Sequence, residues 1–227
     1  MENIHPLIAQ NKKIYNTIAS HFAQTREYPW DELEPFADLV QPGQTVADIG
    51  CGNGRVFRLF SDKDIRYIGV DQSEGLIAIA QHDFPAGTWM VGEMSHIPLE
   101  DESCDLVMCV AALQHMPTPE LRLQAMKELA RITKPGSYIC LTNWNLYSTT
   151  ASKRHPAFAP GDFMIPWKDS VTGESLGDRY YHGFTMEELS GLATGAGLTV
   201  IEQYFIAAHG ERPGIDKGRN IVTVLRK

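Results

Sequence analysis

The sequence predicts an α/β fold in which a mostly parallel sheet carries helices on both faces. Two observations predict it: short apolar runs alternate with helix-period patterns from residue 45 onward, and a glycine-rich turn follows the first run. The strand-like runs are 45–49, 66–70, 88–92, 105–111, 138–144, 198–207 and 219–226. The helical candidates are 5–23, 54–61, 73–81, 119–132 and 185–195. Strands that alternate with helices are typical of a parallel sheet with helices on both faces.

The last two strand-like runs indicate a local exception to the parallel order. Only the short loop HGERPGIDK, residues 209–217, separates them. A connection this short suits a hairpin and leaves no room for a crossover helix. We therefore expect a Rossmann-like, seven-stranded sheet with one antiparallel edge strand.

Two segments lie outside this alternating pattern. Residues 5–23 place Leu7, Ile8, Ile14, Ile18 and Phe22 on a roughly helical repeat. Residues 146–182 are rich in Pro, Gly, Ser and aromatic residues and show no clear periodicity. A long irregular segment in a compact domain is commonly a functional lid or insertion. We expect a single domain over 1–227, with an N-terminal helix and a substrate-side insertion.

Composition excludes several classes of protein. The 227 residues include 43% apolar and 21% charged residues, with no run long enough to cross a membrane and no secretion signal. A cytoplasmic protein is expected. The net charge of −8 argues against a surface coated in basic residues, although a local basic patch remains compatible with it. The four cysteines, none in a C-x-x-C pair, indicate reduced buried thiols and no metal site; they are Cys51, Cys104, Cys109 and Cys140.

The turn after the first strand, in TVADIGCGNGR, indicates a bound small molecule. Glycine permits positive φ angles and close approach of a ligand to the backbone. A dinucleotide site would require G-x-G-x-x-G, but here Arg55 occupies the position of the third glycine. Asp48 within the strand would repel a pyrophosphate and would attract a cation. These features favour S-adenosylmethionine, a sulfonium and α-ammonium compound without phosphate, with S-adenosylhomocysteine as product.

The ends of the next two strands extend this cofactor prediction. Asp71 closes the second strand about 20 residues after the turn, the interval at which a carboxylate meets ribose hydroxyls. It could also cap the helix that begins near Ser73. Glu93 and Met94 close the third strand where the adenine would lie, although Met94 could equally fill the core. The predicted cofactor contacts are Tyr15, Asp48, Gly50, Cys51, Gly52, Asp71, Gln72, Glu93, Met94 and Val110.

Residues 45–145 resemble class I S-adenosylmethionine-dependent methyltransferases. The similar stretches are VADIGCGNGR, YIGVDQSEGLIAIA, GEMSHIPLEDESCDLVMCVAALQHM and ELARITKPGSYICLTNW. The flanking stretches IYNTIASHFAQTREYPW, DFMIPWK, RYYHGFTMEEL and GRNIVTVLRK resemble the tRNA wobble-uridine carboxyl methyltransferase family. Its members esterify the carboxylate of 5-carboxymethyluridine in the anticodon. The family commonly has two histidines after the fourth strand, where this chain has Gln114 and His115.

The resemblance implies a set of acceptor-side residues and partners. It implies catalytic roles for Arg26, His115 and Arg179, because arginine forms planar pairs with carboxylate or phosphate. Surface charge for the arginines and a structural role for the histidine are the alternatives. The implied substrate contacts are Trp30, Trp144 and Tyr180, and the implied phosphate contacts are Lys168, Arg212, Lys217 and Arg219. The implied partners are the tRNA anticodon stem-loop and a small zinc-ribbon activator protein.

Other functions remain compatible with the sequence. The same scaffold serves small-molecule methyltransferases, because a fold does not fix a substrate. A tight apolar cap over residues 146–182 would favour a metabolite, whereas an open groove with a basic rim would favour RNA. A non-catalytic cofactor-binding module is a further alternative, for which the glutamine at 114 is the best argument. A nicotinamide oxidoreductase is disfavoured by the glycine spacing and Asp48.

Overall fold

The computed structural model describes residues 4–169, 171–207 and 210–227. Seven strands form one sheet: β1 Thr45–Ile49, β2 Arg66–Asp71, β3 Thr88–Val91, β4 Cys104–Val110, β5 Thr133–Trp144, β9 Thr199–Ile206 and β10 Asn220–Arg226. Their order across the sheet is β3-β2-β1-β4-β5-β10-β9, and the first five strands are parallel. Strand β10 pairs antiparallel with both β5 and β9. The predicted antiparallel pair at one edge of the sheet is therefore confirmed. The reversed strand is β10, which lies one place in from the edge strand β9. In the loop between β9 and β10, His209 lies outside the described residues.

Helices cover both faces of this sheet, as predicted. The α-helices are α1 Pro6–Thr17, α2 Ala19–Thr25, α3 Glu74–Asp83, α4 Pro119–Ile132, α5 Thr149–Arg154 and α6 Met186–Gly195. One buried cluster packs α4 and α6 against the sheet, with Met126, Leu129 and Leu189 fully buried. A second cluster covers the opposite face and includes Leu33 and Phe60. All four cysteines are buried free thiols.

Two of the predicted helices differ in detail. The N-terminal helix breaks at Ile18, whose ψ of 5° departs from helical geometry, so that two helices replace the single one over 5–23. Residues Arg55–Phe60 form a short 3-10 helix, because Gly54 in the left-handed region begins it directly after the glycine turn. A further 3-10 helix spans Asp31–Leu39 and contains Pro35.

The segment 146–182 is more regular than its sequence indicates. Beside α5 it contains a three-stranded antiparallel sheet, formed by β6 Ala157–Ala159, β7 Asp162–Lys168 and β8 Ser175–His182. Asn11 of α1 fixes this small sheet in place: its Oδ1 accepts from Tyr180 N at 2.8 Å and its Nδ2 donates to Tyr180 O at 3.0 Å. The small sheet thereby lies against α1, beside the carboxyl ends of the parallel strands.

No helix in the described part of the chain is long and apolar enough to span a membrane.

Candidate functional site

The glycine turn after β1 forms a cradle of bare backbone. Gly50, Gly52 and Gly54 have φ angles of 76°, 56° and 77°, in the region that favours glycine. The N–H groups of Gly50 and Cys51 both donate to the carbonyl of Val70, at 2.7 and 3.1 Å, which folds the turn over the end of β2. A Cβ at Gly50 would lie 2.2 Å from Cβ of Ala112. The turn therefore tolerates no side chain at its first position.

Asp71 ties this turn to the next strand. Its Oδ2 accepts from Gly52 N and its Oδ1 from Ser73 N, both at 2.9 Å. Burial raises the pKa of Asp71, and these hydrogen bonds oppose the rise. The N-cap of α3 is Ser73, whose own hydroxyl accepts from Leu76 N at 3.2 Å. Each Asp71 oxygen keeps a second lone pair, so this carboxylate can accept from ribose hydroxyls as well as hold the turn.

Asp48 places a carboxyl group beneath the same cleft. Its side chain is fully buried, and Oδ2 accepts from the Tyr67 hydroxyl at 2.8 Å. Among the described residues Oδ1 has no hydrogen-bond partner. Burial raises the pKa of Asp48 to about 7, and the Tyr67 hydrogen bond limits the rise. An unpartnered buried carboxyl oxygen is costly, which is the condition that a cationic ligand relieves.

These groups border one cleft at the carboxyl ends of the parallel strands. Its empty volume, open solvent at its mouth included, is about 1140 Å³. Every predicted cofactor residue borders it: Tyr15, Asp48, Gly50, Cys51, Gly52, Asp71, Gln72, Glu93, Met94 and Val110. Ala111, directly after β4, also borders it with a φ of 52°, a strained conformation for a residue other than glycine. The cradle and the two carboxyl groups fit a cationic nucleoside such as S-adenosylmethionine.

Arg179 occupies the far side of the cleft in an aromatic cage. Only 4% of its surface is exposed, and its guanidinium lies 4.8 Å from the ring centroid of Trp167 and 5.2 Å from that of Tyr181. Its Nη1 donates to the Tyr15 hydroxyl at 3.3 Å. Within residues 4–169, 171–207 and 210–227 it has no carboxylate partner, and its Nε is buried without a hydrogen bond. A buried cation without an anion is expensive unless a ligand supplies one.

Two further arginines approach the same position. The Arg26 guanidinium lies 5.6 Å from the ring centroid of Trp167, and burial and the charge of Arg179 lower the pKa of Arg26. Arg55 lies over Trp30 at 5.0 Å, where burial and Arg26 lower its pKa to about 10. Sequence reasoning used Arg55 only as a mismatch to the dinucleotide motif and missed it as a cleft residue. All three guanidiniums remain charged at neutral pH, so the cleft has an excess of positive charge on this side.

His115 forms hydrogen bonds both to a backbone carbonyl and to Tyr15 beside this cage. Its Nδ1 lies 2.8 Å from the carbonyl of Tyr180, which can only accept, so Nδ1 carries the proton. Its Nε2 then accepts from the Tyr15 hydroxyl at 3.0 Å. Burial lowers the pKa of His115 to about 4, and the ring is neutral at physiological pH. The histidine thus orients Tyr15, which was predicted as a cofactor contact but has its hydroxyl on the acceptor side.

The predicted substrate residues divide into two groups. Trp30 and Trp144 border the cleft, and Trp144 stacks on Tyr181 at 5.0 Å. The prediction for Tyr180 was wrong, because its side chain is fully buried on the other side of β8 and its hydroxyl donates to Asp162 Oδ1 at 2.5 Å. Its neighbour Tyr181 borders the cleft instead, since side chains alternate along a strand.

The remaining predicted residues are more dispersed. Gln114, where the resembled family has histidine, accepts from Trp144 N at 2.7 Å through Oε1 and so fixes the end of β5. Of the four predicted phosphate contacts, Arg219 borders a second groove beside the cleft. Arg212 borders neither cavity and stays a prediction; its exposed guanidinium pairs with Glu202 and lies over the Tyr204 ring. Lys168 and Lys217 are exposed and border neither cavity.

Comparisons with known proteins agree with this geometry. A family model described as a methyltransferase domain matches residues 47–141. The mouse protein named tRNA (carboxymethyluridine(34)-5-O)-methyltransferase ALKBH8 is 38% identical over 133 residues, which cover 58% of this chain and 19% of the mouse protein. The Schizosaccharomyces pombe protein named tRNA (carboxymethyluridine(34)-5-O)-methyltransferase is 28% identical over 207 residues, which cover 84% of this chain and 89% of that protein. The match thus spans about a fifth of the mouse relative and most of the yeast one.

Solved structures show the same fold. A SAM-dependent methyltransferase from Methanosarcina mazei superposes with a TM-score of 0.70 at 23% identity, covering 85% of this chain and 96% of that one. A putative methyltransferase in complex with the Haloferax volcanii Trm112 activator has a TM-score of 0.65 at 21% identity, covering 93% and 96%. The cradle, the two carboxyl groups and these matches make the chain similar to S-adenosylmethionine-dependent methyltransferases, with a methyltransferase domain over residues 47–141, and the named relatives include tRNA wobble-uridine carboxyl methyltransferases.

Proposed function

We propose that this enzyme transfers a methyl group from S-adenosylmethionine to the carboxylate of 5-carboxymethyluridine at the wobble position of tRNA. The observation that carries the proposal is Arg179, a buried guanidinium that has no carboxylate partner among the described residues and faces the cofactor cleft. A carboxylate acceptor supplies the missing anion. The names of the mouse and fission yeast relatives describe that acceptor and support the proposal.

The residues of the cleft suit an in-line displacement. When bound, S-adenosylmethionine supplies an electrophilic methyl group on a sulfonium. Asp71 would hold the ribose, Asp48 would offset the positive charge, and the glycine turn would admit the cofactor against the backbone. The acceptor carboxylate would take up that methyl group as the carbon–sulfur bond breaks, and the products would be a methyl ester and a neutral thioether. No proton is transferred, because a carboxylate is already ionised at neutral pH with a reference pKa of about 4.

Arg179 and its cage would position the acceptor. A guanidinium offers two parallel N–H donors to a carboxylate and fixes its plane. Tyr15 accepts from Arg179 and donates to His115, so the arginine is held by a chain of neutral groups that do not compete with the acceptor's charge. The main catalytic contribution would be this orientation together with exclusion of water by the surrounding rings.

Trp30 and Trp144 would flank the uracil. Both border the cleft and the wider groove beside it, so they stand where a base would pass from solvent to the cofactor. Aromatic side chains are the usual stacking partners of unpaired RNA bases. This groove with arginines at its rim favours RNA over a metabolite as the acceptor.

We also propose that the enzyme works with a Trm112-like activator protein. The support is the Haloferax volcanii complex, whose methyltransferase superposes on 93% of this chain. Co-purification of the tagged chain from its native cells, followed by mass spectrometry, would identify such a partner. Recovery of the chain alone, with full activity, would contradict this part of the proposal.

The decisive experiment is nucleoside mass spectrometry of tRNA after incubation with the enzyme and isotopically labelled cofactor. The expected result is labelled 5-methoxycarbonylmethyluridine formed from 5-carboxymethyluridine, with no label in tRNA that lacks the carboxymethyl group. Transfer to small phenols or quinone precursors, without any transfer to carboxymethylated tRNA, would refute the proposal.

A further inference from the structure

A second groove opens directly beside the cofactor cleft. Four residues border both cavities and form the wall between them: Arg26, Trp30, Arg55 and Trp144. The groove continues over the loop after β5 and along α5 to the start of β10. A molecule that projects one group past the two tryptophans into the cleft would lay its remaining part along this groove.

The exposed part of the groove is basic. Arg154 at the end of α5 and Arg219 before β10 are exposed and border it, and neither pairs with a carboxylate among the described residues. Glu27 is the one acidic residue of its described lining. His155 also borders it, but burial and the charge of Arg154 lower its pKa. The positive charge of the groove therefore comes from arginines, in a chain whose net charge is −8.

The backbone between these arginines is firmly held. Asn145 N donates to the carbonyl of Arg219 at 2.9 Å, and Asn145 Nδ2 donates to the carbonyls of Ile215 and Gly218 at 2.7 and 2.9 Å. The hydroxyl of Ser148 caps α5 by accepting from Ala151 N at 3.3 Å. The two arginines thus project from fixed backbone, which lowers the entropic cost of binding an extended anion.

We propose that this groove binds the phosphodiester backbone of the unpaired nucleotides that flank the acceptor base, with Arg154 and Arg219 as phosphate contacts. The inference rests on the proposed function and specifies how the RNA is held outside the cleft. The flanking phosphates of a base inserted between Trp30 and Trp144 must cross the shared wall, where Arg26 and Arg55 also lie. Guanidinium groups pair with phosphate oxygens in a bidentate manner, and their contribution is independent of base sequence.

The test compares the double variant Arg154→Ala/Arg219→Ala with Arg66→Ala/Lys127→Ala. The control removes the same charge from exposed positions that border neither cavity. Fluorescence anisotropy measures binding of an anticodon stem-loop containing 5-carboxymethyluridine over a salt series. We expect the groove variant to bind on the order of tenfold more weakly, with a salt slope less steep by about 1.4, because each contact to single-stranded phosphate contributes about 0.7. The control keeps the affinity and slope of the wild type.

A second readout separates this inference from the proposed function. The ratio of kcat/KM for the stem-loop to kcat/KM for free 5-carboxymethyluridine should fall about tenfold in the groove variant, because the free nucleoside has no flanking phosphates. Wild-type affinity and salt slope in the groove variant would overturn the inference even if the wild type methylates the stem-loop. Failure of the wild type to methylate either substrate would overturn the proposed function, while the anisotropy still decides whether the groove binds RNA.

Discussion

Tyr67 donates its hydroxyl proton to Oδ2 of Asp48 at 2.8 Å, across neighbouring strands of a fully buried region. This bond satisfies half of the carboxyl group, and the described residues offer nothing to Oδ1. Burial raises the pKa of Asp48 from 3.8 to about 7, and the Tyr67 hydrogen bond limits the rise. The ligand-free enzyme therefore carries an electrostatic cost at this position that a cationic cofactor would remove.

Replacing Asp48 with Asn should weaken cofactor binding and raise the free energy of unfolding relative to the wild type. Because the folded-state pKa lies above the unfolded value, the wild type binds more protons when folded between about pH 4 and pH 7 and becomes more stable as the pH falls through that window. The Asp48→Asn variant cannot ionise. Relative to the wild type, its free energy of unfolding should gain on the order of 4 kcal/mol between about pH 4 and about pH 8.

Urea unfolding of both ligand-free proteins at these two pH values measures the effect, and calorimetry measures cofactor binding. We expect binding of S-adenosylmethionine to weaken about tenfold or more in the variant, since one opposing charge is lost. A stability difference between variant and wild type that does not change with pH would show that Asp48 titrates normally.

Gly50→Ala should abolish cofactor binding, whereas Gly43→Ala should not affect it. Both glycines have positive φ, 76° and 82°, so alanine is strained at either position by about 1 to 2 kcal/mol. Only at Gly50 would the new Cβ also collide, at 2.2 Å from Cβ of Ala112; at Gly43 no atom lies within 4 Å among the described residues. The collision adds about 1 to 3 kcal/mol of overpacking.

Thermal unfolding and cofactor calorimetry of the two variants separate strain from collision. Equal losses of stability and unchanged cofactor binding in both would mean that the turn relaxes freely and that its closeness to Ala112 has no functional role.

Arg179→Met should reduce methylation far more than cofactor binding. Methionine keeps apolar contact with Trp167 and Tyr181 but removes the charge and the planar donors that we assign to the acceptor. Loss of one partner of a buried charge pair costs about 2 to 5 kcal/mol, which corresponds to a fall in kcat/KM of roughly 30-fold or more. Arg179→Lys should recover little of it, because an ammonium group lacks the planar fork.

Initial rates on carboxymethylated stem-loop RNA, with cofactor affinity from calorimetry, check this expectation. Full activity of the lysine variant would favour simple charge attraction over oriented pairing. A parallel loss of cofactor binding would place Arg179 on the wrong side of the cleft.

The sequence was sufficient for the sheet and the cofactor cradle for a local reason. Each parallel strand contains a short apolar run, and the functional groups lie within that run or a few residues after it, as Asp48, Asp71 and Met94 do. Parallel strands bring their carboxyl ends to one edge, so position along the chain determines position in the site.

The acceptor side depends on contacts that sequence position does not encode. In β8 the last four residues, Arg179, Tyr180, Tyr181 and His182, are all buried, so the alternation that normally marks the two faces of a strand is absent. Arg55 borders the cleft with its guanidinium 5.0 Å from the ring centroid of Trp30, which lies far earlier in the chain. The register of β8 and the position of the segment before the first strand had to be observed.

That register leads to a matched pair of predictions for Tyr180→Phe and Tyr181→Phe. The Tyr180 hydroxyl donates to Asp162 Oδ1 at 2.5 Å, away from the cleft, whereas the Tyr181 hydroxyl lies 3.4 Å from that of Tyr15 beside Arg179. Tyr180→Phe should lower the free energy of unfolding by about 1.5 to 3 kcal/mol, as expected for a hydrogen bond to a charged group, and should leave kcat/KM within about twofold. Tyr181→Phe should unfold like the wild type and lose about 3- to 10-fold in kcat/KM, because it removes one hydroxyl from the network that holds Arg179.

Urea unfolding and initial rates on the same RNA measure both effects. The opposite pattern, with activity lost at 180 and stability lost at 181, would mean that β8 presents its other face to the acceptor and that the aromatic cage assigned to Arg179 is incorrect.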